Sequence, residues 1–443
     1  MTVPTFREAL GVWARVAATS FGGPAGQIAV MHRVLVEEKR WISEPRFLHA
    51  LSYCTLLPGP EAQQLATYVG WLLHGVPGGI VAGGLFVLPG FVAILALSYL
   101  YVGFGQTTAV LGAFYGLKPA VLAIVVEAVL RVARRALATR AHVALAAAAF
   151  IGIFFFAVPF PLIVLAAGLI GLLGGALVPE AFTPRAMAPS AGREVVDVPL
   201  RARPTLGRTL AVAAAWLAVW AIPIALLFAT VGREHVLAKQ AVFFSKAAIV
   251  TFGGAYAVLA YVAQQAVEAY GWLRPGEMLD GLGMAETTPG PLIQVVQFVG
   301  FLGAYRAPEP FTPLTAALLG SIVTTWVTYA PCFLWIFIGA PYVEALRQSR
   351  AVAHVLSGIM AAVVGVILNL SVWFALHTLF GRVDERWVGA VRLWVPDRGS
   401  LELGALVIAV LAAVATFRWH WSMPRTLGFS VALGLVAWAV RPA

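Results

Sequence analysis

Residues Thr19–Gln63 read TSFGGPAGQIAVMHRVLVEEKRWISEPRFLHALSYCTLLPGPEAQ. Two clusters in this stretch are foreign to a continuous membrane helix: Phe21-Gly22-Gly23-Pro24 and Pro58-Gly59-Pro60. Both interrupt apolar runs, and Arg15, Gln27, Glu61, Gln63 and Gln64 gather beside them. Glycine and proline break the helical ladder and free backbone N–H and C=O groups. In hydrocarbon such groups are costly, so non-helical backbone must be buried in protein or line a cavity. The breaks therefore point to a cavity inside a membrane protein.

Composition agrees. The chain has 443 residues, of which 60% are hydrophobic and 11% charged. A soluble protein carries about twice that charge fraction. Long apolar runs recur along the whole length, which predicts an all-α polytopic membrane protein. A closed barrel would show short alternating segments instead. Met1–Leu10 carries Arg7 and Glu8 without a cleavage pattern, so no signal peptide is expected. The formal charge of +10 sits mostly in two loops. It reads as membrane orientation, with no nucleic-acid partner expected. Cys54 and Cys332 both lie in apolar runs and read as small buried residues without disulfide or metal partners.

The opening stretch recurs. Thr251-Phe252-Gly253-Gly254 repeats Ser20-Phe21-Gly22-Gly23, and Pro289-Gly290-Pro291 repeats Pro58-Gly59-Pro60. The offset is 231 in both cases (252 − 21 and 289 − 58). Trp41 with Trp272, Glu37 with Glu268, and Arg15 with Lys246 keep the same offset. Further on it grows to 242, where Pro89 meets Pro331, Phe91 meets Phe333, and Glu127 falls opposite Asn369. The chain is thus two copies of one unit, as secondary transporters often are.

Four elements are predicted in the first copy, at roughly 6–36, 44–74, 78–103 and 109–130. The basic run Arg131–Arg140 follows, and then a hairpin over 141–178 split by Val158-Pro159-Phe160-Pro161. Pro179–Arg208 is polar, with Arg185, Arg193, Arg201, Arg203 and Arg208, and reads as a cytoplasmic linker. A span at about 209–231 leads into the second copy, at roughly 237–268, 276–306, 313–339 and 350–379. Two short spans close the chain, at about 401–417 and 426–440. The total is about 13 spans, if each element crosses. An odd number of crossings separates the starts of the copies, so the second is inverted. Arg347, Arg350, Arg418 and Arg425 then fall on the cytoplasmic side. The domains expected are 1–178, a connector 179–236, and 237–443.

A helix that restarts after a break presents free N–H groups and the positive end of its dipole, a ready anion site. Pro24 and Pro60 suit the first turn of such a helix. Close helix packing is the competing use of these glycines. The break residues Phe21, Gly22, Gly23, Pro58, Gly59, Phe252, Gly253, Gly254, Pro289 and Gly290 are therefore candidate substrate-binding positions. Arg15 and Lys246, each six residues before an equivalent phenylalanine, are candidate charge partners, unless they snorkel to an interface. Lys118, before Pro119, is a third basic candidate. Gln27, Gln63, Gln64, Gln294 and Asn369 are candidate donors to oxyanion oxygens, or helix caps. Glu61, Glu127 and Glu286 are candidate proton carriers, with structural hydrogen bonding as the alternative. His32 lies within the first motif, no metal-ligand spacing appears, and no cofactor is expected.

The segments FGGPAGQIAVMHRVLVEEKRWISEPRF (21–47), LLPGPEAQQLATYVGW (56–71) and GGLFVLPGF (83–91) resemble the chromate ion transporter family. The second copy, with TFGGAYAVLAYV (251–262) and TTPGPLIQVVQFVGF (287–301), resembles that family's second domain. The resemblance implies a long two-domain member in a bacterial or archaeal inner membrane. It implies export of chromate on the proton gradient, with sulfate as an analogue. Partners expected are chromate or sulfate, protons and the lipid bilayer; a homodimer stays open. The second copy departs at Ala255, where the first has Pro24, and at Leu292, where the first has Glu61. An anion channel would use the same features. An intramembrane enzyme would need a nucleophile–base pair, a metal spacing or a phosphate loop, none of which is found in the sequence.

Overall fold

A computed structural model of the chain describes residues 4–21, 23–105, 107–182, 205–252, 255–342 and 349–440. Gly22, Gly253, Gly254, Arg347 and most of the linker 179–208 lie outside the described residues. The protein is all-α and polytopic, with one small β-hairpin. Its first half has α1 (Phe6–Thr19), α2 (Gly23–His32), α3 (Glu44–Cys54), α4 (Glu61–Phe104), α5 (Thr108–Ala136), α6 (Arg140–Phe156), α7 (Phe160–Leu177) and the single turn α8 (Pro179–Phe182). There follow α9 (Leu206–Thr230), α10 (Val236–Ile249), α11 (Ala255–Gln264), α12 (Glu277–Thr287), α13 (Val295–Arg306), α14 (Pro313–Gly339) and α15 (Arg350–Leu379). The hairpin β1 (Val383–Val388) and β2 (Val391–Pro396) precedes α16 (Leu403–Phe417) and α17 (Met423–Ala439).

Among the described residues six helices are long and apolar enough to cross a membrane, and four shorter apolar helices accompany them. The peripheral α9 buries none of its residues; Leu210, Leu217, Ile222 and Leu226 are exposed, as a lipid-facing helix requires. The hairpin expected over 141–178 is present as α6 and α7, parted at Ala157–Pro159. The elements expected at 6–36 and 44–74 are broken. At 1.5 Å per residue, the 14 residues of α1 and the 10 of α2 each fall well short of a hydrocarbon core of about 30 Å.

The repeat extends to backbone conformation. A π-helical segment ends the second helix of each copy, at Arg33–Glu38 and at Gln265–Ala269. Arg40 and Gly271, at the 231 offset, both take positive φ (52° and 62°). Gly59 and Gly290, at the same offset, do so as well (128° and 98°).

The change of offset has a structural cause. In the first copy α4 folds back at His74 and Gly75, whose dihedrals are non-helical. Gly70 and Gly78 then pack so closely that a Cβ on either would lie 2.4 Å from the other's carbonyl oxygen. In the second copy α13 and α14 form the matching hairpin, with Gly300 against Gly320, but a connection at 307–312 replaces the tight return. The 11 extra residues (242 − 231) lie at that return.

Two compact units emerge, each drawing on both copies: 1–96, 189–258 and 288–350 form one, and 97–188, 259–287 and 351–443 the other. The first unit buries Trp13, Leu35, Phe47, Tyr53, Trp71 and Phe337 among its core side chains. The second unit is stitched by backbone contact at small residues, such as Gly171 with Gly358.

The β-hairpin connects α15 to α16 and belongs to the second unit. Its Arg392 has a side chain only 4% exposed. The guanidinium donates to the carbonyls of Ile153 (2.8 Å) and Phe154 (3.3 Å) at the end of α6, and meets Glu268 at 3.4 Å. It thereby satisfies carbonyls that a helix end leaves open. Arg392→Leu is expected to destabilise the protein by about 2 kcal/mol, because those acceptors lose a charged donor. Thermal unfolding in detergent checks this; an unchanged midpoint would show that the hairpin is decorative.

Candidate functional site

Both breaks are real interruptions. In the first copy α1 stops at Thr19, and the Ser20 hydroxyl donates back to the Val16 carbonyl at 2.6 Å. The chain restarts as α2 at Gly23 (φ 69°), with Pro24 in the first turn. The second break runs from Thr55 to Pro60, and α4 restarts at Glu61. In the second copy α10 stops at Ile249, and the Thr251 hydroxyl donates to the Ala247 carbonyl at 2.6 Å. α11 begins at Ala255, and a 3₁₀ turn at Leu292–Gln294 follows Pro291 and leads into α13.

The breaks hold each other within the first unit. The Gly59 N–H donates to the Thr251 carbonyl at 2.7 Å, and the Gly290 N–H donates to the Ser20 carbonyl at 3.0 Å. Donors 59 and 290 are equivalent positions, and so are acceptors 20 and 251. The exchange is reciprocal, as a local two-fold relation between the copies requires. Glycine is needed at both donors, since φ lies deep in the region that a side chain resists.

A small cavity of about 10 Å³ lies among these restarts. It is lined by Pro24 and Ala255, Pro60 and Pro291, Glu61 and Leu292, Ala62 and Ile293, and by Gln27. Each of the four pairs is related by the 231 offset. Residues from four restarting segments therefore face one space. Helix starts carry free N–H groups and roughly half a positive charge each. The lining is also asymmetric, for Glu61 faces apolar Leu292 and only the first copy supplies a glutamine.

Polar side chains are packed around this point. Gln27 donates to the Gly290 carbonyl at 2.5 Å, while its Oε1 has no partner. Gln63 donates to Thr67 at 3.1 Å and Gln64 to the Pro58 carbonyl at 2.8 Å. Gln294 donates to Gln297 at 2.5 Å, and Gln297 to the Phe91 carbonyl at 3.0 Å. All five are buried.

Of the sequence candidates, Gln27 and Glu61 line the cavity. Pro58, Gly59, Pro289, Gly290, Gln63 and Gln294 build the breaks around it. Phe21 is 41% exposed, and Phe252 is half-buried. Arg15 and Lys246 do not reach the cavity. Arg15 is exposed and pairs with Glu38 at 3.0 Å; Lys246 lies on the exposed face of α10. Glu127 is half-buried, paired with Arg131 one turn on, rather than deep in its helix. Glu286 is buried in the second unit. His32 bridges Glu37 and Glu44.

One buried group had escaped selection. Asp280 on α12, in the second unit, meets Lys118 at 3.3 Å and accepts from the Tyr101 hydroxyl at 3.0 Å. An acidic residue inside an apolar element is the signal that would have found it.

A family model described as "Chromate transporter" matches residues 7–172 and 238–438, which are the two copies. A chromate transport protein of Pseudomonas aeruginosa is 33% identical over 96% of this chain and 89% of its own length. A chromate transport protein of Cupriavidus metallidurans is 28% identical over 85% of each chain. An uncharacterised transporter of Methanocaldococcus jannaschii is 23% identical over 82% of each. No solved structure matches the chain. With both copies matched and the P. aeruginosa relative covered almost end to end, the chain belongs to the chromate transporter family.

Proposed function

We propose that this chain is a secondary transporter that exports chromate across a bacterial or archaeal inner membrane on the electrochemical proton gradient, with sulfate as a structural analogue. The names of its curated relatives support the substrate. One observation supports the mechanism above others: restarts from both copies converge on one small cavity. About 10 Å³ is barely room for a water, so an anion of five heavy atoms enters only if the site opens. That favours alternating access over an open channel. In this reading the copies at 1–178 and 237–443 are inverted about the connector 179–236, and the site gains access to each side of the membrane in turn.

Glu61 is the carboxylate we assign to proton coupling, ahead of Glu127 and Glu286, because it alone of the three lines the cavity. Purified protein in proteoliposomes is expected to accumulate chromate against its own gradient when a proton gradient is imposed. Glu61→Gln is expected to move chromate without responding to that gradient. Flux that only ever runs down the chromate gradient in the wild type would make the protein a channel.

A further inference from the structure

None of the described residues lining the cavity is basic. A dianion bound for it must be drawn from water elsewhere, and Arg46 in the first turn of α3 has the chemistry for that. Its Nε is fully buried and has no hydrogen-bond partner. Among the described residues no carboxylate pairs with it, and the polar ring that it faces is the neutral phenol of Tyr68. The neighbouring bases differ. Arg15 and Arg33 meet Glu38, Lys39 meets Glu8, and His32 bridges Glu37 and Glu44. Arg7 and Arg40 are exposed, where water solvates them. Arg46 is the half-buried base of this stretch without a counter-charge. Such a charge is costly, and an orphaned buried donor calls for a ligand. A guanidinium fork matches two oxygens of a tetrahedral anion. A second sign lies in the backbone. Ser43, the cap residue of α3, makes no side-chain hydrogen bond, so first-turn N–H groups stay open at the same helix start.

Contacts within the first unit set the side on which this group lies. Lys39 meets Glu8 at 3.4 Å, and the His74 ring bonds the Pro4 carbonyl at 2.8 Å. The pair α1–α2, and α3 with the first arm of α4, are therefore hairpins that return to the face they left, and Arg46 lies near that face. After Gly75 the chain crosses twice, through the rest of α4 and through α5, and reaches Arg134, Arg135 and Arg140. Two crossings restore the starting side, and a basic run marks the cytoplasm. Eight residues (54 − 46), about 12 Å of helix, separate Arg46 from Cys54 at the break. Arg46 thus stands between the cytoplasmic face and the cavity, outside the latter. The second copy has Glu277 in place of Arg46 and Asp280 in place of His49, both at the 231 offset (277 − 46 and 280 − 49). Acidic residues at that start do not attract an anion.

We propose that Arg46 is an outer loading site for tetrahedral oxyanions, which captures chromate or sulfate on the cytoplasmic side before the anion moves to the cavity. The inference rests on the transport reading and adds the step that precedes it. A basic capture point on one side, with acidic residues at the equivalent start of the other copy, suits one-way loading. A fixed positive charge at the mouth of a low-dielectric site raises the local anion concentration and the rate of capture, and salt weakens the effect.

The test is initial chromate uptake by the full chain in everted membrane vesicles, whose cytoplasmic face is outward. Arg46→Gln should raise KM for chromate about tenfold and leave Vmax within about twofold. The sulfate concentration that halves uptake should rise with it. Arg46→Lys should recover part of the loss, since it keeps the charge without the fork. Arg7→Gln, which removes an exposed charge from the same face, should leave KM unchanged. Added potassium chloride should raise KM in the wild type and have less effect in Arg46→Gln. An unchanged KM in Arg46→Gln, or a loss confined to Vmax, overturns the inference while leaving transport standing. Loss of bound phospholipid from purified Arg46→Gln, with KM unchanged, would make the ligand a lipid headgroup and overturns it as well. Absence of saturable chromate uptake in the wild type removes the transport reading itself. If Arg46→Gln is not recovered folded, the wild type decides, and a KM independent of salt overturns the inference.

Discussion

Gly59→Ala should abolish chromate transport while the protein still reaches the membrane. The residue has φ of 128°, a conformation that a side chain resists. A Cβ there would lie 2.7 Å from Gln64 Nε2 and 2.8 Å from Cys332 Sγ. Gln64 cannot simply swing away, since it holds the Pro58 carbonyl. Strain of about 1–3 kcal/mol is expected from the backbone alone. Relief would pull the Gly59 N–H from Thr251 and displace Pro60 and Glu61 at the cavity. A shift near 1 Å at a working site can cost about a hundredfold in rate. Gly290→Ala should act in the same direction but less severely, because its nearest neighbours, main-chain atoms of Gly90, are 3.2 and 3.3 Å away. Initial chromate flux, normalised to protein in the proteoliposome, is the measurement. Wild-type flux in Gly59→Ala would mean that the interlocked breaks are irrelevant to transport.

Gly116→Val should prevent the second unit from folding. Helices α5 and α17 touch here through their backbones. A Cβ on Gly116 would stand 1.9 Å from the Ser430 carbonyl oxygen and 2.9 Å from Gly434 Cα. No rotamer relieves a clash with main chain, so the helices must part along their contact. Overpacking of this kind costs about 3 kcal/mol or more. Gly103→Val is the control, since nothing lies within 4 Å of its Cβ position. Monodisperse yield and thermal unfolding in detergent should fall sharply for Gly116→Val and stay level for Gly103→Val. Equal behaviour of the two would refute close packing at this crossing.

Much of this was legible beforehand because it is written in residues with few structural uses. Phe-Gly-Gly and Pro-Gly-Pro at one offset announce interrupted helices in duplicate, and at Gly59 and Gly290 the backbone follows with matched positive φ. The runs at 313–339 and 350–379 coincide with α14 and α15, because uninterrupted apolar residues between polar ends leave little choice. The spacing of Arg15, six residues before Phe21, leaves its direction open, and the face it takes is set by the rest of α1. Ala9, Val12, Trp13, Val16 and Ala17 form the buried stripe of α1, and Arg15 falls off it. Lys246 shares an exposed edge of α10 with Lys239, one heptad earlier. Lys118 and Asp280 lie 162 residues apart in sequence, and no local pattern couples them. The β-hairpin was hidden by its brevity, although Val383–Val388 and Val391–Pro396 flank a glycine turn.

The reciprocal bonds from Gly59 and Gly290 have an evolutionary consequence. Their acceptors are main-chain oxygens of Ser20 and Thr251, so replacing either side chain leaves the acceptor in place. Only the donors demand a particular amino acid. Duplicated halves joined in this manner are free to drift at every other position that faces the cavity. Pro24 against Ala255 and Glu61 against Leu292 are the outcome of such drift. One half carries an ionisable residue at this position and the other does not, while the joint is present in both. Specialisation after duplication was thus open to the lineage from the start, because the frame was secured by atoms that mutation cannot exchange.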